Sequence, residues 1–211
     1  MVSHGARLQT KARAREKAER VHRQEERRRY IMSHAAMMLR KGQRVGFSVD
    51  DLCESLAINK STFYSYFKSK EDLLFTLHQA AMDDLDQMIE GVLRSEGSVR
   101  DKLASAIKGH ITLQQREGVS ALAIPQIASF SPKNRKAVIK RRDDYEAKIR
   151  MLIQTGINEG IFRECDVAMQ SILVLTLLNS IQTWYDQSGQ YSVAQLADII
   201  VDAVSLGLLR R

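Results

Sequence analysis

The amino-acid sequence predicts an all-α protein of about nine helices. Apolar residues recur with the spacing of amphipathic helices along most of the chain, and no alternating pattern typical of a β-strand reaches a useful length. The 211 residues include only two prolines and eleven glycines, the residues that interrupt helices most strongly. Apolar residues make up 44% of the chain, which is enough to build a folded core.

The predicted helices follow one another with short connections. The first extends from about Thr10 to Gln43, because this segment contains no proline and no glycine before Gly42. One later helix is expected from about Val119 to Phe130, with a kink near Pro125. The other helices are each preceded by a side chain that can cap a helix N-terminus, namely Ser48, Asn59, Ser69, Ser98, Ser131, Asp166 and Ser192.

The residues that most often bind metals or form disulfides are sparse and scattered. Cys53 and Cys165 lie far apart, so neither a disulfide scaffold nor a zinc site is expected. His34, His78 and His110 have no cysteine or carboxylate at ligand spacing, and we interpret them as hydrogen-bonded or solvent-facing side chains. The chain lacks a phosphate-binding glycine loop and the common hydrolase motifs. We therefore expect no enzymatic activity, no metal and no cofactor.

The chain also lacks the sequence signals of a membrane or secreted protein. No apolar run approaches the ~20 residues of a membrane helix, and the N-terminus has no apolar core of a secretory signal. These observations predict a cytoplasmic protein that does not bind a membrane.

Positive charge is concentrated at the N-terminus. Residues 1–29 contain ten Lys or Arg and four Glu, whereas the other 182 residues contain 22 basic and 21 acidic residues. A basic arm on a nearly neutral body is typical of proteins that bind polyanions such as nucleic acids. A solvated extension without a partner is the alternative interpretation.

Two short helices joined by a tight break, after a longer helix, predict a helix-turn-helix unit. Its second helix, from Lys60 to Phe67, reads KSTFYSYF. Phe63 and Phe67 lie four residues apart and are expected to anchor this helix on the core. The short and hydroxyl-bearing side chains between them then face outwards, where they fit the major groove of DNA.

This unit resembles the helix-turn-helix of the TetR family of transcriptional regulators. The family hallmark resembles V-S-K-x-T-L-Y-x-Y-F-x-S-K-E, and Ile58–Glu71 reads INKSTFYSYFKSKE. The resemblance extends back to Tyr30 and covers about 60 residues. It implies an N-terminal three-helix DNA-binding domain, a larger C-terminal helical domain, and a homodimer that binds a palindromic operator in double-stranded DNA.

The resemblance also assigns roles to individual positions. The helix from Lys60 is the one that enters the major groove, and Glu71 is interpreted as an acid in the first turn of the next helix. The residues expected to read bases or face the groove are Lys60, Ser61, Thr62 and Ser65. The residues expected to contact phosphates are Ser48, Thr62, Tyr64, Tyr66 and Lys70.

The chain departs from the family pattern in the turn. Ala57 stands where the family usually has glycine, and a positive φ at this position would cost alanine about 1 kcal/mol. The connection from Gly42 to Ser48 is one residue longer than usual. These departures leave the DNA-binding interpretation in place but prevent an operator sequence from being assigned by analogy.

The resemblance and the charge pattern divide the chain into three parts. Residues 1–23 form a basic arm, residues 24–84 form the DNA-binding domain with its motif at 48–67, and residues 85–211 form a helical domain for effector binding and dimerisation. The last two helices, after Asp166 and Ser192, are more apolar than one subunit needs to bury. We therefore expect them to form the dimer interface, with a purely internal core as the alternative.

The C-terminal domain is expected to bind a small hydrophobic effector. The sequence resembles, loosely, TetR-family members that respond to acyl-CoA thioesters, and Arg141, Arg142 and Arg150 are candidate partners for the CoA phosphates. The residues expected to line the pocket are Ile127, Phe130, Met151, Leu177, Ile181, Trp184 and Tyr185.

Two functions therefore remain open at this point. The first is a dimeric repressor that the effector releases from its operator. The second is a sensor or adaptor of the same fold that acts through protein contacts without binding DNA. Acidic tips on the second helix of the motif would favour the adaptor, but that helix has none.

Overall fold

The fold is all-α, as predicted. The computed structural model describes residues 4–40, 47–115, 127–128 and 130–209, and these residues form eight helices. The helices are α1 (His4–Arg40), α2 (Val49–Ser55), α3 (Lys60–Tyr66), α4 (Lys70–Arg94), α5 (Val99–Gln115), α6 (Pro132–Asn158), α7 (Val167–Trp184) and α8 (Val193–Leu208). Most of the helix expected between Val119 and Phe130 lies outside the described residues.

Six of the seven predicted caps accept a backbone hydrogen bond at their helix start, whereas Ser131 makes no capping bond and its hydroxyl donates to Glu71 instead. The Ser48 hydroxyl accepts from the Asp51 amide, and the Asp51 carboxylate accepts from the Ser48 amide, which completes a capping box. Asn59, Ser69 and Asp166 cap α3, α4 and α7 in the same way, each by accepting a backbone N–H. These local bonds explain why the N-termini of several helices could be located from sequence.

The first three helices share a small core. Ile31 and Ala35 on α1 are fully buried with Phe47, Phe63 and Phe67. The N-terminal part of α1 makes no such core: its described side chains from Arg13 to Arg27 are all exposed. The basic arm is therefore a helical extension of α1 in the part that the structure describes.

α4 connects the two halves of the protein. Its apolar face is buried along its length, from Leu73 to Ile89, and it packs on both α5 and α6. α5 also packs on α8, and α6 on α7, so α4–α8 form one helical domain around the C-terminal core. The boundary expected near residue 84 falls inside α4, which continues through it without a break.

The last two helices expose apolar side chains. On α7 these include Ile172 and Leu173, and on α8 they include Ile199 and Leu206, the last of which is 76% exposed. α7 is also the one helix among the described residues whose length and composition would allow it to cross a membrane. Length and composition alone do not make it a membrane helix, since the core helix of a soluble protein passes the same test.

Candidate nucleic-acid interface and ligand cavity

The turn between α2 and α3 contains the residue that departs from the family pattern. Ala57 adopts a φ of 50°, in the left-handed region where glycine is favoured. Its amide donates to the Glu54 carbonyl at 3.0 Å, and the Ile58 amide donates to the Cys53 carbonyl at 2.9 Å. The turn therefore has the expected strained geometry, and alanine costs about 1 kcal/mol there.

α3 buries one face and exposes the other. Phe63 and Phe67 are 0% and 1% exposed, with ring centroids 5.8 Å apart, so they anchor the helix as the sequence predicts. Tyr64 is 52% exposed on the opposite side. Ser61 and Ser65 are exposed next to it.

The remaining motif residues are held by the protein to different degrees. The Thr62 hydroxyl donates to Asn59 at 2.8 Å, and Ser48 is used by its capping box. Tyr66 is half-buried and packs against the core. The Lys70 ammonium lies 5.2 Å from the centroid of the Phe47 ring, which fixes it beside the motif.

Lys60 has an intramolecular partner that the sequence analysis missed. Its ammonium lies 2.8 Å from the Asp50 carboxylate on α2, and both side chains are largely exposed. The hydrogen bond and charge of Asp50 raise the pKa of Lys60 above its ordinary value. A contact between Lys60 and DNA would require its ammonium to leave this carboxylate.

The basic extension of α1 passes beside the C-terminal end of α3. A surface groove is bounded by Val21, Gln24 and Arg28 on α1 and by Ser65 and Tyr66 near α3. Arg28 fixes this arrangement, because its guanidinium lies 5.0 Å from the centroid of the Phe67 ring. The positive charge of the arm predicts a polyanionic partner, but it does not predict that the arm lies near α3.

A cavity of about 190 Å³ lies in the C-terminal domain among α4, α5, α6 and α7. It is partly open to solvent and has both apolar and polar walls. The side chains that line it are Met82, Leu85, His110, Arg142, Tyr145, Glu146, Ile172, Leu175, Thr176 and Asn179.

One wall of the cavity carries a chain of hydrogen bonds. The His110 ring bonds through Nδ1 to the Tyr145 hydroxyl at 3.0 Å and through Nε2 to the Gln114 amide nitrogen at 2.8 Å. Gln114 also donates to Asn179 Oδ1 at 3.2 Å. Burial lowers the pKa of His110 to about 4 and raises that of Tyr145, so both rings are neutral near pH 7.

Two family models match this chain. One, described as "Bacterial regulatory proteins, tetR family", matches residues 31–77. The other, described as "Tetracyclin repressor-like, C-terminal domain", matches residues 96–208, which is more than half of the chain. The chain belongs to the TetR family. It is therefore a DNA-binding transcriptional regulator, and no enzymatic activity is expected of it.

Individual relatives support the same assignment of this TetR-family protein. The "Fatty acid metabolism regulator protein" of Bacillus subtilis (strain 168) is 23% identical over 165 residues, which cover 76% of this chain and 84% of the relative. The TetR-family regulator PfmR from Thermus thermophilus is 28% identical, with a TM-score of 0.75 and coverage of 85% and 99%. AibR in complex with isovaleryl coenzyme A and operator DNA has the same fold, at 20% identity, a TM-score of 0.72 and coverage of 84% and 97%.

The cavity of this TetR-family protein is not lined by any of the seven residues that the sequence analysis proposed for the pocket. Met151 and Trp184 are 49% and 56% exposed, and Leu177 is exposed too, whereas Ile181 is fully buried in the core. Phe130 packs against Phe75 on α4 instead, with ring centroids 6.4 Å apart. Ile127 and Tyr185 pack partly buried against the core. α7 is apolar on most sides, so its sequence does not show which face meets a cavity.

The three candidate arginines have separate positions. Arg141 lies 2.7 Å from Asp83 and 2.5 Å from Asp86 on α4, so it links two helices. Arg150 lies 2.5 Å from Glu146 on its own helix. Only Arg142 of the three lines the cavity.

Two further sequence interpretations need correction. The first concerns His78, which is fully buried, and neither of its ring nitrogens has a hydrogen-bond partner. Burial, with the charges of Arg142 and Arg141, lowers its pKa to about 4.

The second concerns Glu71, which is more than an acid in the first turn of α4. Its Oε1 accepts from the Ser131 amide at 2.9 Å, the Ser131 hydroxyl at 2.7 Å and Asn134 at 2.7 Å, which lowers its pKa.

Proposed function

We propose that this protein is a homodimeric repressor that binds a palindromic operator through α3 and is released by a small acyl-CoA-type effector. The observation that carries the DNA-binding part is the division of α3 into two faces. Phe63 and Phe67 fix its inner face, while Lys60, Tyr64 and Ser65 lie exposed on the outside. A helix with cationic and hydroxyl tips fits the major groove and its phosphates.

The same residues argue against the adaptor alternative. Tyr64 and Lys60 are exposed on a face of α3 that carries no acidic side chain. Binding to DNA accounts for this combination, whereas contact with another protein does not require it. The exposed basic extension of α1 adds positive charge on the side of the groove near Ser65. We propose that this arm lies along the DNA backbone next to the operator.

The proposed dimer interface is formed by α7 and α8. These two helices expose large apolar side chains that a single subunit leaves in water, including Leu173, Ile199 and Leu206. Contiguous apolar patches of this kind mark association surfaces in soluble proteins. An isologous pairing of the two helices with the same helices of a second subunit would cover them.

The proposed effector site is the cavity among α4–α7, and it replaces the pocket expected from sequence. Its apolar residues, such as Leu85 and Leu175, suit an acyl chain, and Arg142 supplies a cation for an anionic group. The relative from B. subtilis is named for fatty acid metabolism, and AibR binds isovaleryl coenzyme A. Regulation of acyl-group metabolism in the cytoplasm is therefore the proposed role.

The test of DNA binding begins with selection of operator fragments from genomic DNA by the full-length protein. Lys60→Ala and Tyr64→Ala should each weaken binding to a selected operator by about 1–3 kcal/mol. Lys108→Ala and Tyr191→Ala are matched controls, because both side chains are exposed and lie on the C-terminal domain. If no fragment is enriched, or if both α3 variants bind as tightly as the parent, α3 is not the operator-reading helix.

A further inference from the structure

The orientation of two side-chain amides, Gln114 and Asn179, sets the donors and acceptors in the cavity wall. The Gln114 amide nitrogen lies within bonding distance of two acceptors, His110 Nε2 and Asn179 Oδ1, and its two hydrogens serve both. The opposite orientation of the Gln114 amide alone would set its oxygen against Asn179 Oδ1. With both amides oriented as in the structure, His110 accepts at Nε2 and carries its proton on Nδ1, which donates to the Tyr145 hydroxyl.

This arrangement leaves two hydrogen-bond donors on side chains that line the cavity. The Tyr145 oxygen accepts from His110, so its own hydrogen is available to another acceptor. Asn179 uses its oxygen to accept from Gln114, so its two amide hydrogens are available too. Tyr145 and Asn179 both line the cavity, and both donors belong to neutral groups.

The size of the cavity limits what these donors can bind. A cavity of about 150 Å³ in another protein holds benzene, so the 190 Å³ found here has room for about six to eight heavy atoms. A short acyl group fits this volume with its carbonyl included. A long-chain acyl group exceeds this volume, so the rest of its chain would have to extend through the open side of the cavity into water or displace the surrounding helices.

We propose that the cavity recognises the carbonyl oxygen of a short acyl thioester, with Tyr145 and Asn179 as its hydrogen-bond donors. This inference rests on the proposed acyl-CoA function and adds the length of the acyl group and the atom that is recognised. A carbonyl oxygen has two lone pairs and can accept from both donors at once. The apolar side chains of Met82 and Leu85 then surround the hydrocarbon part.

The test compares two ligands that differ only in the carbonyl. Hexanoyl-CoA has the thioester carbonyl, whereas hexyl-CoA is a thioether of the same chain without it. Calorimetric titration of the full-length parent protein should show about ten- to thirtyfold tighter binding of hexanoyl-CoA, the effect of two net hydrogen bonds. Palmitoyl-CoA should bind more weakly than hexanoyl-CoA.

The variants assign that difference to the proposed donor. Tyr145→Phe keeps the ring and removes one of the two donors, so the preference for hexanoyl-CoA over hexyl-CoA should fall to about three- to sixfold. Tyr185→Phe is the matched control, since its hydroxyl donates to the Tyr191 carbonyl away from the cavity, and it should keep the preference. Asn179→Leu on the exposed side of α7 provides a second variant if Tyr145→Phe does not fold.

The outcomes separate this inference from the proposed function. If acyl-CoAs bind and release the operator but the preference is absent, or is as large in both Tyr145→Phe and Asn179→Leu as in the parent, the carbonyl site is wrong and the acyl-CoA function stands. Equal affinity for palmitoyl-CoA and hexanoyl-CoA would overturn the length limit. If no CoA thioester of any length binds, the effector class is wrong, and this inference is wrong with it.

Discussion

The two buried neutral histidines predict a loss of stability in mild acid, and His78→Leu tests it. The pKa values of His78 and His110 are about 4 in the folded protein, below the ordinary value of 6.5. Because the unfolded chain then binds more protons, the free energy of unfolding is highest above pH 6.5 and falls as the pH is lowered from there towards 4. His78 also lies close to the cationic Arg141 and Arg142, which oppose its protonation.

The expected size of the effect follows from the two pKa values. A group that titrates at about 4 when folded and 6.5 when unfolded costs about 2 kcal/mol of stability between pH 8 and pH 5. His78 and His110 together should therefore cost about 4 kcal/mol over this range. His78→Leu should halve that loss and should also raise stability at pH 8 by about 1–2 kcal/mol, since two unpartnered buried nitrogens are removed.

The measurement is urea unfolding at pH 8 and pH 5, followed by circular dichroism at one fixed protein concentration. His22→Leu is the control for losing a histidine, because His22 is exposed on α1. If His78→Leu and the parent lose the same stability between the two pH values, His78 is not a neutral buried group, and the reasoning from its burial is wrong.

Three further predictions concern the surfaces and the link between α4 and α6. Deletion of residues 1–22 should make the dependence of operator affinity on salt shallower and leave the sequence preference unchanged; an unchanged slope, measured by fluorescence anisotropy, would place the arm in solvent. Leu206→Glu, but not the exposed Ile139→Glu on α6, should shift the protein towards the monomer in sedimentation, and an unshifted dimer would exclude α8 from the interface. Glu71→Ala should lower the free energy of unfolding by about 1–2 kcal/mol, because it removes three hydrogen bonds. Glu96→Ala, at an exposed position, should have no effect, and a Glu71→Ala variant as stable as the parent would contradict the bonding seen at Ser131.

The sequence predicted the features that depend on neighbouring residues. Capping bonds span three residues, so Ser48, Asn59 and Ser69 located helix starts correctly. The anchoring pair Phe63 and Phe67 followed from their spacing of one helical turn.

Features that depend on distant residues could not be predicted in this way. Glu71 binds Ser131 and Asn134, more than fifty residues away, and nothing in the local pattern marks it as different from other first-turn acids. The cavity is lined by none of the seven residues expected from sequence, and because α7 is apolar on most sides, its helical period does not show which face meets a cavity. Asp50 was visible as an acid in the first turn of α2, but its pairing with Lys60 depends on how α2 and α3 pack.

The bonds between α4 and α6 bear on how a ligand in the cavity could affect DNA binding. α4 begins shortly after α3, and it is bonded to α6 and its N-cap at two positions. Near its start, Glu71 accepts hydrogen bonds from Ser131 and Asn134, and further along, Asp86 pairs with Arg141 and Lys148. Glu71 and Asp86 are about 22 Å apart along α4, at a rise of 1.5 Å per residue.

Leu85 lines the cavity next to Asp86. A ligand that separates α4 from α6 at Asp86 has to tilt α4 as a rigid body or break one of the two sets of bonds. Tilting α4 also moves α3, because only three residues connect the two helices. Such a ligand changes operator affinity only to the extent that it binds the two tilts of α4 with different free energies.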